Sequence, residues 1–232
     1  MRTLGIIGGT GPESTVEYYQ RLIAAHRARH PEGRSPSLII NSVDNRKLLD
    51  WFTANELPPI VDYLAREIER LERAGAELAL IAANTPHLVF AELQPRVAIP
   101  LLSIVEATAE AAVAAGLRRL ALFGTRFTMR APMFPDAFAR RGLAIVAPNA
   151  DEQVFIDAKY FEELFVGVIK DETRAALLAI IEAMKQRDGI DGLILGGTEL
   201  SLILRDATAA GLPVLDTTQI HVDAAVGWLL RD

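Results

Sequence analysis

The chain has 232 residues and 25.3 kDa, half of them hydrophobic with a mean hydropathy of +0.21, which is ample for packed cores and unlike a disordered composition. A net charge of −6 with no lysine/arginine-rich block argues against a nucleic-acid or anionic-membrane surface, and the absence of cysteine excludes disulfides, thiolate metal sites and thiol catalysis together. The opening MRTLGIIGGTGPEST runs into a glycine turn rather than a secretory signal, and no apolar run approaches the roughly 20 residues of a membrane span, so a soluble cytoplasmic protein is expected.

In chain order, an apolar run at 3–8 predicts a strand, and Gly8, Gly9, Thr10 and Gly11 a turn into a helix over 13–30. Backbone N–H groups of that turn, with Thr10 and Ser14, suit a carboxylate at the positive end of the helix; the plainer reading is that Ser14 or Thr15 caps it. A dinucleotide fingerprint fits less well, because Ser14 stands at its third glycine and no acidic residue ends the second strand about 20 residues on. A strand at 37–43 delivers SVDNR, with Arg46 placed for a bidentate carboxylate contact or simply exposed. A helix over 57–74 and a strand over 77–83 follow. The apolar run AELALIAA then ends abruptly in Asn84, Thr85, Pro86 and His87, as a buried strand would on delivering polar groups to the mouth of a sheet. Asn84 and Thr85 are candidate ligand donors, though Thr85-Pro86 also suits a helix start. A histidine ordinarily titrates near neutral pH, so His87 is a candidate acid/base, against the commoner case of a satisfied structural histidine.

Helices over 86–96 and 103–115 lead to a strand at 118–123 and the segment GTRFTM, where Thr125 and Thr128 are donors to a ligand or helix caps. A helix over 131–140, a strand at 143–147 and a helix over 152–166 come next, the last carrying Lys159 as a second candidate cation for the substrate. After a helix over 172–187, the strand at 190–196 runs into Gly197, Thr198 and Glu199, repeating the transition seen at 83–85. Thr198 is a candidate donor; Glu199 is either an acid/base or a helix-terminus charge. A helix over 199–210, a strand at 213–215 and a helix over 218–230 complete the chain. Glycines 75, 116, 142 and 211 fit helix C′ positions. A metal site from His87, His221 and Asp216 or Asp223 matches no ligand spacing, so no metal is expected.

This alternation predicts an α/β fold with parallel sheets. The chain also repeats weakly: Gly9-Thr10 aligns with Gly124-Thr125 at a shift of 115, and Thr85 with Thr198 at a shift of 113. Two shifts so close suggest two similar halves. Ligands of open parallel sheets bind at the carboxyl ends of strands, so two loops from each half are expected to face a shared cleft.

On the segments GGTGPEST (8–15), NSVDNR (41–46), ANTPH (83–87), GTRFTM (124–129), KYFEEL (159–164), LGGTEL (195–200) and PVLDTTQIH (213–221), the chain resembles the aspartate/glutamate racemase family. The resemblance implies two pseudosymmetric α/β domains, here 1–98 plus 213–232 and 99–212, with the active-site cleft between them and the C-terminal helix packed on the first half. It further implies a small amino-acid or dicarboxylate ligand, no cofactor (pyridoxal phosphate included), a homodimer, and a basic residue such as Arg46 or Lys159 for the distal carboxylate. Family members place a cysteine before Asn-Thr and another before Thr-Glu; here those positions hold Ala83 and Gly197. Racemisation needs an acid/base on each face of the α-carbon, and neither a methyl group nor a hydrogen carries a proton. Two-thiol racemisation is therefore closed to this chain. Three explanations remain: engineered replacement, a cofactor-independent isomerase or lyase acting through a carbanion or enolate with other groups, or an amino-acid sensor that binds without turnover.

Overall fold

The computed structural model describes residues 2–31, 35–204 and 208–231. Two compact units are formed, Met1–Ile104 with His221–Asp232, and Val105–Ile220. In the first unit β1 (Thr3–Gly8), α1 (Pro12–Arg29), β2 (Ser37–Ser42), α2 (Asn45–Ala54), α3 (Leu57–Arg73) and β3 (Leu78–Ile81) are followed by short helical turns, of which α4 (Phe90–Leu93) is α-helical, and by β4 (Leu101–Leu102). The strands are parallel in the order β2-β1-β3-β4. Gly8 pairs with Ser42 and Ile7 with Ile81, so the carboxyl ends of β1, β2 and β3 finish nearly level. Every residue of β3 is buried, as a strand covered on both faces requires. On α3 the residues Ile60, Leu64, Ile68 and Leu71 recur at helical spacing and are buried.

The chain continues through α5 (Ile104–Ala114), β5 (Arg119–Gly124), α6 (Arg126–Arg130), α7 (Met133–Ala139), β6 (Ala144–Val146), α8 (Ala150–Glu162), α9 (Asp171–Asp188), β7 (Gly192–Gly196), α10 (Leu200–Ile203), β8 (Thr208–Ala209), β9 (Leu212–Asp216) and α11 (Thr217–Leu229). The second sheet has the order β6-β5-β7-β9-β8, parallel except for the antiparallel β8–β9 hairpin. Its core joins Ala121 and Phe123 of β5 and Leu193 and Leu195 of β7 to Ile156 and Tyr160 of α8 and Leu177 and Ile181 of α9. The last helix returns to the first sheet: Val222, Ala225, Val226 and Leu229 pack with Leu4, Ile6, Leu78 and Leu80.

The order β2-β1-β3-β4 corresponds strand for strand to β6-β5-β7-β9, so the weak sequence repeat is a repeat of topology. Several local expectations are corrected. Helices α2 and α6 and strands β4 and β8 were not anticipated, and the helix expected over 86–96 is broken into 3₁₀ and α turns where Pro86 and Pro95 interrupt the backbone ladder. The helix expected over 199–210 stops at Ile203; residues 205–207 of that span lie outside the described residues. Gly211 accordingly turns a hairpin rather than ending a helix, while Gly75, Gly116 and Gly142 follow α3, α5 and α7 at positive φ. No helix among the described residues is long and apolar enough to cross a membrane.

Candidate functional site

In the first unit the candidate residues gather at the level ends of three parallel strands. After β1 the backbone turns at Gly9, whose φ of 82° is left-handed and whose Cβ, if present, would lie 2.5 Å from the Val43 carbonyl oxygen. The turn is tied internally. Gly9 N–H donates to Thr15 Oγ1 at 2.8 Å, and that hydroxyl donates to the Gly11 carbonyl at 3.1 Å. The Gly9 N–H, expected to face a carboxylate, instead donates within the chain. Thr10 differs: its Oγ1 is buried and has no hydrogen-bond partner among the described residues. Ser14 is buried on the first turn of α1. After β2, Asp44 caps α2 by accepting from Arg46 N–H at 3.0 Å, and the Arg46 side chain is 87% exposed with Asp50 4.0 Å away. After β3, Asn84 is buried and Thr85 half-buried at the start of a 3₁₀ turn.

His87 is fully engaged. Ile104 N–H donates to its Nε2 at 3.2 Å, which places the proton on Nδ1, and Nδ1 lies 2.9 Å from the Ala83 carbonyl oxygen that accepts it. Burial lowers its pKa to about 4. His221 sits at 6.1 Å between ring centroids, with Nδ1 2.9 Å from the Tyr18 hydroxyl and Nε2 3.1 Å from the Leu102 carbonyl, and burial followed by the neighbouring His87 lowers its pKa to about 3. Both rings are neutral struts, His87 fixing the loop that carries Ala83 and His221 fixing α11 to β4 and α1. No group of three or more histidine, aspartate or glutamate side chains able to hold a metal is found among the described residues.

The second unit presents the matching strand ends. Thr125 caps α6, accepting from Thr128 N–H at 3.3 Å, and the two buried hydroxyls lie 3.3 Å apart. After β9, Thr217 Oγ1 donates to the Leu195 carbonyl at 2.7 Å, whereas Thr218 Oγ1 is buried with no partner among the described residues. After β7 stand Gly197, Thr198 and Glu199, all buried. A Cβ on Gly197 would lie 2.5 Å from Tyr160 Cε2 and 3.2 Å from its hydroxyl oxygen, so a tyrosine ring from α8 fills the space a side chain at 197 would need. That hydroxyl donates to Glu199 Oε2, and Thr198 Oγ1 donates to the same oxygen at 2.6 Å. Burial, then the charge of Glu199, push the Tyr160 phenol well above its ordinary pKa.

Lys159, one residue before, points elsewhere. Its Nζ lies 2.7 Å from Glu163 Oε1, and Glu163 also accepts from Lys170 at 3.1 Å and from Thr173 at 2.6 Å. These partners, Lys159 first, hold the Glu163 carboxyl at about 2. Sequence reading passed over Tyr160 and Thr218, although KYFEEL and PVLDTTQIH contain them; the only signal was that each falls inside a motif segment.

Known proteins share this fold. The chain resembles an aspartate racemase homologue from Pyrococcus horikoshii OT3 at 35% identity over the whole of both chains, with a TM-score of 0.88. Against Picrophilus torridus aspartate racemase the identity is 22%, covering 98% of this chain and 95% of that one, with a TM-score of 0.74, a likeness of fold. The broad specificity amino-acid racemase RacX of Bacillus subtilis (strain 168) is 22% identical over 98% of each chain. The Asp/Glu/Hydantoin racemase profile matches residues 7–225, so with its repeated parallel sheets and paired strand-end motifs this chain belongs to that family.

Proposed function

We propose that the chain binds a small amino acid or dicarboxylate at the carboxyl ends of its strands and acts on it as a cofactor-independent isomerase or lyase, by way of a carbanion or enolate. The observation that carries the reading is the buried Oγ1 of Thr10 just after β1, which has no partner among the described residues. A buried hydroxyl normally has a partner, and one left open at the ligand-binding end of a parallel sheet is suited to a ligand oxygen. Thr218 Oγ1, also buried and without a partner among the described residues, offers the same at the end of β9. Asn84, Thr85 and Thr198 are proposed as further donors, able to stabilise charge that develops beside a carboxylate. Arg46, exposed and only distantly paired, is the cation proposed for a distal carboxylate; Lys159 is already committed to Glu163. The relatives named as racemases of aspartate or of amino acids in general support this class of ligand. A homodimer belongs to the same reading and is supported by the exposed apolar residues Val166, Val168 and Ile169.

A second reading, an amino-acid or dicarboxylate sensor without turnover, is favoured by one feature: Ala83 presents only a methyl group where a proton carrier is needed. Calorimetric titration with L- and D-aspartate and L- and D-glutamate tests the shared premise. Saturable binding by at least one is expected, weakened about tenfold in Thr10→Val, the loss of one hydrogen bond. Heats of dilution alone across the panel would remove both readings.

A further inference from the structure

The chemistry at the end of β7 is not empty. Gly197 lacks a side chain, yet the Tyr160 hydroxyl stands 3.2 Å from where the β-carbon of residue 197 would be, close to where a thiol on that carbon would have worked. Its proton is shared with Glu199 Oε2, which Thr198 also holds in place. Phenol and carboxylate are 6% and 5% exposed as residues. The glycine and the tyrosine are one arrangement: any side chain at 197 would displace the ring.

We propose that Tyr160 and Glu199 form a proton-transfer dyad that stands in for the second thiol, acting on the Cα–H bond of the ligand. The inference rests on the ligand reading above and gives it a mechanism. In the step, the Tyr160 oxygen takes the α-proton as its own proton passes to Glu199 Oε2. The C–H bond breaks, its electron pair remains on the α-carbon and delocalises into the adjacent carboxylate, and the glutamate becomes neutral. Reversal returns a proton, by then exchanged with solvent, from the same tyrosine to the same face. Ala83 carries only a methyl group and supplies no proton carrier, and the dyad returns its proton to the face it left. The outcome is solvent exchange with retention of configuration, and the same enolate serves an isomerase or a lyase.

The test follows the α-proton signal of L- and D-aspartate and glutamate in deuterated water with wild-type protein, Tyr160→Phe and Glu199→Gln, alongside calorimetric affinities. One enantiomer is expected to exchange with its configuration kept. Both variants should slow exchange by roughly a hundredfold or more, the contribution of a general acid–base group, while affinity changes by less than about threefold. Should Tyr160→Phe lose its circular dichroism spectrum, Glu199→Gln carries the comparison. Binding without exchange, or exchange unchanged in a folded variant, overturns the dyad and leaves the ligand reading standing. No binding by any of the four ligands overturns the ligand reading, and the dyad with it.

Discussion

Gly197 and Tyr160 are fitted to one another, and a substitution at either is read through the other. With a Cβ only 2.5 Å from the ring edge, Gly197→Ala must move Tyr160, which is packed in the second core between α8 and β7. Overpacking of this kind costs about 1–3 kcal/mol, so the urea midpoint of Gly197→Ala should fall; Gly197→Ala/Tyr160→Ala should lose less than the sum of its two singles, because the second change removes the clash. Strict additivity would show that the ring does not occupy that space. Gly9→Ala is expected to be worse tolerated than an ordinary loop glycine, since it adds a left-handed φ to a contact with backbone that cannot step aside. At this scale the sequence was partly legible. Ala83 and Gly197 stood out against the family pattern because their motifs are local. Tyr160 did not, since its fit to Gly197 joins residues far apart in the chain, and a packing relation of that length leaves no periodicity to read.

Among elements, the two buried histidines act as joints, and the sign of their pH dependence follows from their lowered pKa values. Unfolded, each takes up a proton as pH falls through about 6.5; folded, His87 does so only near 4 and His221 near 3. Between those limits the unfolded chain binds more protons, so stability falls with decreasing pH, by about 1.4 kcal/mol per unit for each histidine. Urea midpoints measured from pH 7 to pH 4.5 should therefore slope downward, and His221→Gln should flatten the slope by about half while lowering stability at neutral pH. An unchanged slope would mean that the rings are protonated in the folded chain. Glu163 adds a second acid-sensitive contact: its folded pKa of about 2 lies below the unfolded value, so its stabilisation is present above the unfolded pKa and is lost as pH falls through about 2. The long elements were readable because each carries a full period: β1, α1, α3, β7 and α11 fall within two residues of expectation. Helix α2 is not among the expected elements, although its Asp44 cap and the buried pair Leu48 and Phe52 are local signals. The broken segment 85–96 was missed because alternating apolar residues outweighed two prolines.

For the whole chain, the repeated strand order is what a shift of about 115 residues foretold, since aligned glycine turns and aligned Thr motifs fix both the first and third strands of each half. The place of β9 in the second sheet was not legible, because a strand of that length pairs according to tertiary packing rather than its own pattern. The homodimer reading yields a direct expectation: sedimentation should report twice 25.3 kDa, and Val166→Glu/Ile169→Glu should return the monomer mass. A monomer at all concentrations would set that reading aside. The most direct measurement of the central claim is chiral chromatography of L-aspartate and L-glutamate after incubation with the unmodified protein. With a proton carrier missing at Ala83, both amino acids should stay L, whatever deuterium they acquire; D-enantiomer accumulating in proportion to the protein added would contradict it.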